Sequence, residues 1–101
     1  MIDNLAPVQI HGIDIDPAKW KVLVEGVPIS LTSHQFRLLH FLVRNAGRTL
    51  TRQQIVEGIH GSDYPVSEHS VNVQVFALRR MLGDHGKLIQ TERGVGYRFK
   101  R

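Results

Sequence analysis

The chain has 101 residues, of which 42 % are hydrophobic and 22 % are charged, a balance typical of one globular domain with a single core. The absence of cysteine excludes a disulfide scaffold, a thiol nucleophile and a thiolate zinc site. No apolar run approaches the ~20 residues of a membrane span, and the first residues lack a signal-peptide pattern. We therefore expect one cytoplasmic domain over residues 1–101, with no membrane segment in this chain.

The net charge lies entirely in the last third of the chain. The whole protein carries a formal charge of +4. From Ser67 onward, seven Lys or Arg residues stand against three acidic residues, a difference of +4, so residues 1–66 are neutral. A basic segment of this kind suits a polyanion such as nucleic acid. A solvated helix with a basic tail is the alternative.

Residues 1–31 are predicted to contain a small antiparallel sheet of four short strands with one covered face. Apolar residues alternate with polar ones from residue 8 onward, and turns are predicted at His11-Gly12 and at residues 16–19. Gly26 interrupts the alternation once more, which separates the third strand from the fourth.

Apolar residues recur at helical spacing from Thr32, and three helices are predicted over residues 32–86. Thr32 followed by Gln35 forms a capping box, in which each residue's side chain bonds the backbone N–H of the other. Thr51 followed by Gln54 repeats this pattern at the start of the second helix. Both pairs therefore predict helix starts.

The third predicted helix, which Ser67 caps, has an apolar core stripe on one side and a partly apolar sector on the other. Its core stripe recurs by four, three and four residues at Val71, Val75, Leu78 and Leu82. The opposite sector holds His69, Val73, Phe76, Ala77, Arg80 and Asp84. A solvated helix is normally polar there. Two interpretations of Phe76 remain open: it packs against the following hairpin, or its side of the helix enters a DNA major groove.

The major-groove interpretation predicts DNA contacts for several residues of this sector and its flank. Val73 and Ala77 are predicted to contact thymine methyl groups, and Arg80 to reach a guanine or a phosphate. Arg79 lies on the flank and is predicted to contact phosphate. His69 is either a surface residue of the first turn or a DNA contact.

Residues 87–101 are predicted to form a β-hairpin around Gly94-Val95-Gly96. Arg93 beside this turn is predicted to enter the narrow minor groove of A·T-rich DNA. Thr91 either donates to a phosphate or pairs across the strands. Three helices followed by a hairpin describe a winged helix-turn-helix, which makes the fold α+β.

Four segments carry a resemblance to a known family: residues 36–39 (Phe-Arg-Leu-Leu), 47–52 (Gly-Arg-Thr-Leu-Thr-Arg), 67–82 and 91–99 (Thr-Glu-Arg-Gly-Val-Gly-Tyr-Arg-Phe). The chain resembles the OmpR/PhoB-type winged-helix DNA-binding domain, the C-terminal effector half of many bacterial two-component response regulators. The resemblance implies sequence-specific binding of double-stranded DNA for transcriptional regulation, with the third helix in the major groove and the wing in the minor groove.

The resemblance also implies partners and further DNA contacts. It implies binding to tandem direct repeats, a loop from His60 to Val66 that meets RNA polymerase, and a receiver domain if the chain is a fragment. Ser70 and Gln74 join the predicted DNA contacts because they stand where the family has threonine and histidine. His69 stands where the family usually has arginine, which implies a weaker phosphate grip.

Two other functions are alternatives to DNA binding. The histidines form no metal-ligand pattern and no catalytic constellation occurs, so we expect no enzyme, no cofactor and no metal site. The second rival is a winged-helix protein-interaction module with little DNA binding. The apolar residues Val73, Phe76 and Ala77 and the missing helix arginine favour that module. Arg79, Arg80, Arg93 and the basic tail oppose it.

Overall fold

Two antiparallel β-sheets flank a core of three helices. The computed structural model describes residues 5–60 and 68–101. Its elements, in chain order, are β1 (Val8–Ile10), β2 (Ile13–Asp16), β3 (Lys21–Val24), β4 (Val27–Ile29), α1 (Ser33–Arg44), β5 (Thr49–Thr51), α2 (Arg52–His60), α3 (Glu68–Leu82), a 3-10 helix (Gly83–Leu88), β6 (Ile89–Glu92) and β7 (Gly96–Phe99). The predicted α+β winged-helix architecture is confirmed.

The N-terminal sheet is a meander in which each strand pairs with the next one along the chain. The strand order is β1-β2-β3-β4, with Val8 opposite Ile15 and Val22 opposite Ile29. Ile13 and Ile15 are buried in the core, whereas the residues that follow each of them are only partly covered. This alternation turns one face of the sheet toward the helices, as the period of two in a strand requires.

Both predicted capping boxes are present. Thr32 Oγ1 accepts from the Gln35 N–H at 3.1 Å, and Gln35 Oε1 accepts from the Thr32 N–H at 3.0 Å. The corresponding distances for Thr51 and Gln54 are 3.0 Å and 2.8 Å. These local bonds satisfy amides that the first turn of a helix leaves without partners. The predicted cap of α3, Ser67, lies outside the described residues.

The core stripe of α3 is fully packed. Val71, Val75, Leu78 and Leu82 are each no more than 3 % exposed, and they share one core with residues of α1, α2 and both sheets. Burial of one such side chain contributes about 1.5–3 kcal/mol to stability. The stripe therefore fixes the rotation of α3 about its own axis and turns the opposite side of the helix outward.

The C-terminal sheet has one strand more than the predicted hairpin. β5 pairs antiparallel with β7, so the strand order is β5-β7-β6, with Leu50 opposite Tyr97 and Thr51 opposite Gly96. β5 has three residues, too few for a periodic pattern to show in the sequence. Its pairing ties the hairpin to the connection between α1 and α2.

Gly96 is a point of close approach between β5 and β7. A Cβ atom at Gly96 would lie 1.9 Å from the carbonyl oxygen of Leu50, which belongs to the backbone and has no rotamer to change. Gly94, in the hairpin turn, is different, because a Cβ atom there would meet nothing within 4 Å. Its φ of 79° nevertheless favours glycine.

We predict that Gly96→Ala separates β5 from β7 and lowers the free energy of unfolding by about 3 kcal/mol or more, because the clash involves backbone. Gly94→Ala is the matched control in the same hairpin. It is expected to cost about 1 kcal/mol, from the left-handed backbone alone. Urea denaturation of the two variants measures both values. Equal losses would contradict the close approach.

His40 is a buried histidine within α1, at 6 % exposure. Its Nε2 accepts a hydrogen bond from Arg44 Nε at 3.2 Å, and its ring lies nearly parallel to that of Phe36, with centroids 6.2 Å apart. Burial lowers the pKa of His40, and the neighbouring charge of Arg44 lowers that pKa further. The fold therefore favours the neutral imidazole.

We predict that acid destabilises the protein partly through His40. Because the folded-state pKa of His40 lies below its unfolded value, the unfolded chain binds this proton first as the pH falls. The contribution of His40 to stability is therefore complete above about pH 6.5 and decreases below it. His40→Leu removes the titration and is expected to make the decrease shallower. Urea denaturation between about pH 7 and about pH 5 measures this, and parallel profiles would contradict it.

Candidate nucleic-acid interface

One side of α3 is exposed and partly apolar. His69, Val73, Phe76 and Arg80 recur by four, three and four residues, so they lie on one side of the helix, opposite the core stripe. Val73 is 53 % exposed and Phe76 is 61 % exposed. We call these four residues the outer face. The interpretation that Phe76 packs against the hairpin is wrong, since most of its ring is open to solvent.

Arg80 lies against Phe76 on the outer face. The guanidinium carbon of Arg80 is 5.9 Å from the centroid of the Phe76 ring, one helical turn away. The ion pairs within the described residues are His85–Glu25 and Arg98–Glu92, so no carboxylate there compensates the charge of Arg80. The contact therefore presents an apolar ring and an uncompensated cation together.

Ser70, Gln74 and Ala77 form a half-buried row along the flank of the outer face. Gln74 Oε1 lies 2.6 Å from Nε2 of His34 in α1, and Gln74 Nε2 donates to Ser70 Oγ at 3.2 Å. Ala77 is predicted to be exposed, but it is half-buried. It lies at the border of the outer face, where its methyl group is partly covered.

Arg79 and Thr91, both predicted DNA contacts, bond to each other. Arg79 Nη2 donates to Thr91 Oγ1 at 2.8 Å and to the carbonyl of Ile89 at 2.6 Å, and Arg79 Nε donates to the same carbonyl at 3.1 Å. Its guanidinium also lies over the Tyr97 ring, 5.5 Å from the centroid. Arg79 therefore fastens α3 to the hairpin, and the two N–H groups of its Nη1 atom remain for a phosphate.

A second connection joins α3 to α2 and the hairpin, through residues that the sequence analysis did not identify. Asn72 Oδ1 accepts from Arg52 Nε at 2.7 Å and from the Tyr97 hydroxyl at 2.6 Å. The Arg52 guanidinium also lies 5.2 Å from the centroid of the Tyr97 ring. The three residues are far apart along the chain, so no local pattern relates them.

The tip of the hairpin carries an exposed cation. Arg93 and Gly94 lie in the turn between β6 and β7, where the Val95 N–H donates to the Glu92 carbonyl at 2.9 Å. The Glu92 carboxylate pairs with Arg98 at 3.2 Å. Among the described residues, no carboxylate pairs with Arg93, which is placed as the sequence predicted.

The predicted polymerase loop, apart from His60 at the end of α2, lies outside the described residues. The ring of His60 packs on the ring of His34, with centroids 4.7 Å apart. Burial lowers the pKa of His60, and the nearby side chains of His34 and Arg37 lower that pKa further. The His60 ring is therefore neutral near neutral pH.

The exposed side of α3 and the hairpin tip can interact with a ligand through charge and hydrogen bonds. Within residues 5–60 and 68–101, no three His, Cys, Asp or Glu side chains are placed to hold a metal ion. In the same part of the chain, no helix is long and apolar enough to cross a membrane. What the site presents is arginine guanidinium groups, an amide, a hydroxyl and an apolar ring. These groups suit a phosphate backbone and the edges of bases.

Comparison with known proteins agrees with this geometry. The family described as "Transcriptional regulatory protein, C terminal" matches residues 26–99. The phosphate regulon transcriptional regulatory protein PhoB of Pseudomonas aeruginosa is 36 % identical over 98 residues, which cover 96 % of this chain and 43 % of PhoB. The response regulator DrrB of Thermotoga maritima, an OmpR/PhoB homologue, has a TM-score of 0.82 at 30 % identity, covering 94 % of this chain and 44 % of DrrB.

A third protein was solved with its ligand. The DNA-binding domain of RstA from Klebsiella pneumoniae, in complex with the RstA box, has a TM-score of 0.82 at 27 % identity, covering 93 % of this chain and 96 % of that domain. The chain thus spans less than half the length of PhoB and DrrB. With the family match over residues 26–99 and the shared fold, the chain belongs to the C-terminal domains of transcriptional regulatory proteins, the OmpR/PhoB-type winged-helix DNA-binding family.

Proposed function

We propose that the chain binds double-stranded DNA sequence-specifically and regulates transcription as the effector domain of a two-component response regulator. α3 enters the major groove, and the hairpin of β6 and β7 follows the adjacent minor groove. The observation that carries this proposal is the outer face, where exposed Val73, Phe76 and Arg80 lie on a helix whose other side is buried. A major groove admits one helix and offers thymine methyl groups and base acceptors to such side chains.

The charge distribution supports the same proposal. The C-terminal third holds the whole net charge, and Arg80 and Arg93 are uncompensated by carboxylates of the described residues. Arginine side chains of this kind contact phosphates and enter narrow minor grooves. The RstA domain, which has a similar fold, was solved on DNA.

We extend the proposal to the partners of the whole protein. PhoB and DrrB are more than twice as long as the matched region, which supports a receiver domain as a covalent partner. Two copies of the chain bind tandem direct repeats head to tail, and the loop of residues 60–66 meets RNA polymerase. The protein works on DNA in the cytoplasm and catalyses no reaction.

The direct test is binding to a random-sequence duplex at low salt, followed by selection of preferred sites from random DNA. We expect binding whose affinity falls steeply as salt rises, because phosphate contacts release counterions. No binding at low salt would overturn the proposal. It would favour the protein-interaction module, for which the exposed Val73 and Phe76 are the supporting observation.

We predict that Arg93→Ala weakens binding selectively on sites with A·T-rich flanks, by about 1–3 kcal/mol, because the narrow minor groove of such flanks attracts arginine. Titration of A·T-flanked and G·C-flanked duplexes measures the effect. Lys19→Ala, an exposed cation in the turn before β3, is the control for loss of one charge. An unchanged ratio of the two affinities in Arg93→Ala would show that Arg93 does not read the minor groove.

The adjacent residues Arg79 and Arg80 are predicted to behave differently. Arg79→Ala removes the bonds to Ile89 and Thr91, so it should lower the free energy of unfolding by about 1–3 kcal/mol and weaken binding on every sequence. Arg80→Ala should change the free energy of unfolding by less than about 0.5 kcal/mol but relax sequence preference. Urea denaturation and selection from random duplexes distinguish them. The same result in both variants would remove the distinction.

A further inference from the structure

Gln74 is held by a residue of another helix. His34 lies in the first turn of α1, and its Nε2 is 2.6 Å from Gln74 Oε1 in α3. Because an amide oxygen only accepts, the Nε2 atom of His34 carries the proton of this hydrogen bond. The two residues are 40 positions apart, so this bond is a tertiary contact between the helices.

The hydrogen bonds of Gln74 determine which of its amide groups remain able to bond to another molecule. Its oxygen accepts from His34, and one of its two amide hydrogens goes to Ser70 Oγ at 3.2 Å. Both contacts are part-buried and hold the terminal amide on the flank of the outer face. Among the residues that the structure describes, the second amide hydrogen has no acceptor. Gln74 therefore presents one N–H in a fixed direction.

The His34 ring is itself held from its other side. The ring of His60, at the end of α2, packs on it with centroids 4.7 Å apart. Burial, together with the nearby His34 and Arg37 side chains, lowers the pKa of His60 and so favours its neutral ring at this contact. The His34 ring is thus restrained by α2 as well as by α3, which gives the bond to Gln74 a defined geometry.

We infer that His34 is a positioning residue for base recognition, which fixes the Gln74 amide so that its remaining N–H donates to an acceptor on a base edge in the major groove. Such acceptors are a purine N7 atom or the carbonyl oxygen of guanine or thymine. This inference rests on the proposed function, since it needs α3 in the groove. His34 itself touches no base and acts through Gln74.

The test compares three variants of the whole chain on two duplexes. The first duplex is the site that the unmodified protein selects from random DNA, and the second is the same site with the base pair opposite Gln74 replaced. To find that base pair, the selection from random DNA is repeated with Gln74→Ala. The base pair is the position at which this variant no longer prefers one base. His34→Leu removes the donor to Gln74, whereas His34→Gln retains an amide N–H at nearly the same distance along the side chain.

We expect His34→Leu to lower the preference for the selected site over the altered one by roughly tenfold, the scale of one base contact. His34→Gln should restore most of that preference. In a Gln74→Ala background, His34→Leu should have no further effect on preference, because a residue that acts only through Gln74 is not additive with it. Thermal melting of each variant shows that it is folded, and salt dependence should stay the same in all of them.

Two outcomes would overturn the inference. One is an unchanged preference in folded His34→Leu, and the other is an equal further loss when His34→Leu is added to Gln74→Ala. His85→Leu, a histidine on the 3-10 helix paired with Glu25, is the matched control and should leave the preference unchanged. If the unmodified protein binds no duplex at low salt, the proposed function itself is wrong. If the protein binds normally and His34→Leu leaves its site preference unchanged, only this inference is wrong.

Discussion

Burial of one apolar stripe on α3 sets the orientation of that helix and, with it, the position of the candidate interface. Val71, Val75, Leu78 and Leu82 are packed into the core, and their recurrence by four and three residues leaves the helix one rotation that buries them all. That rotation decides which residues lie outward. It exposes Val73 and Phe76 and places Arg80 beside Phe76. The candidate interface is thus a consequence of core packing on the opposite side of the same helix.

Polar contacts then fix α3 relative to its neighbours without using the outer face. Arg79 bonds to the hairpin, Asn72 accepts from α2 and from β7, and Gln74 bonds to α1. Each of these residues lies between the buried stripe and the exposed residues, where a side chain reaches an adjacent element. Such bonds orient a helix more precisely than apolar packing does, because hydrogen bonds are directional. Recognition of bases needs this precision, since base edges in the major groove differ in the positions of donors, acceptors and the thymine methyl group.

The sequence predicted the elements that depend on local patterns and missed those that do not. Both capping boxes, at Thr32 and Thr51, were predicted because each bond spans three residues. The third strand of the C-terminal sheet, β5, was missed because it has three residues and is defined by its partner β7. Ala77 was expected to be open but is half-buried, since helical geometry gives its direction and not the neighbour that covers it. The roles of the predicted DNA contacts, from His69 to Arg93, stay predictions.

Four properties can be predicted from the sequence alone: the charge of the C-terminal third, the starts of α1 and α2, the core stripe of α3 and a cation at the hairpin tip. These properties follow from composition and from spacings of two to four residues, which a single strand or helix imposes. Three sets of contacts depend instead on how the elements pack: Arg79 bonds to Ile89 and Thr91, Asn72 accepts from Arg52 and Tyr97, and His34 bonds to Gln74. The partners in these contacts are 10 to 40 residues apart. Such pairs come into contact because packing of the core brings their elements together. No local periodicity in the sequence predicts these contacts.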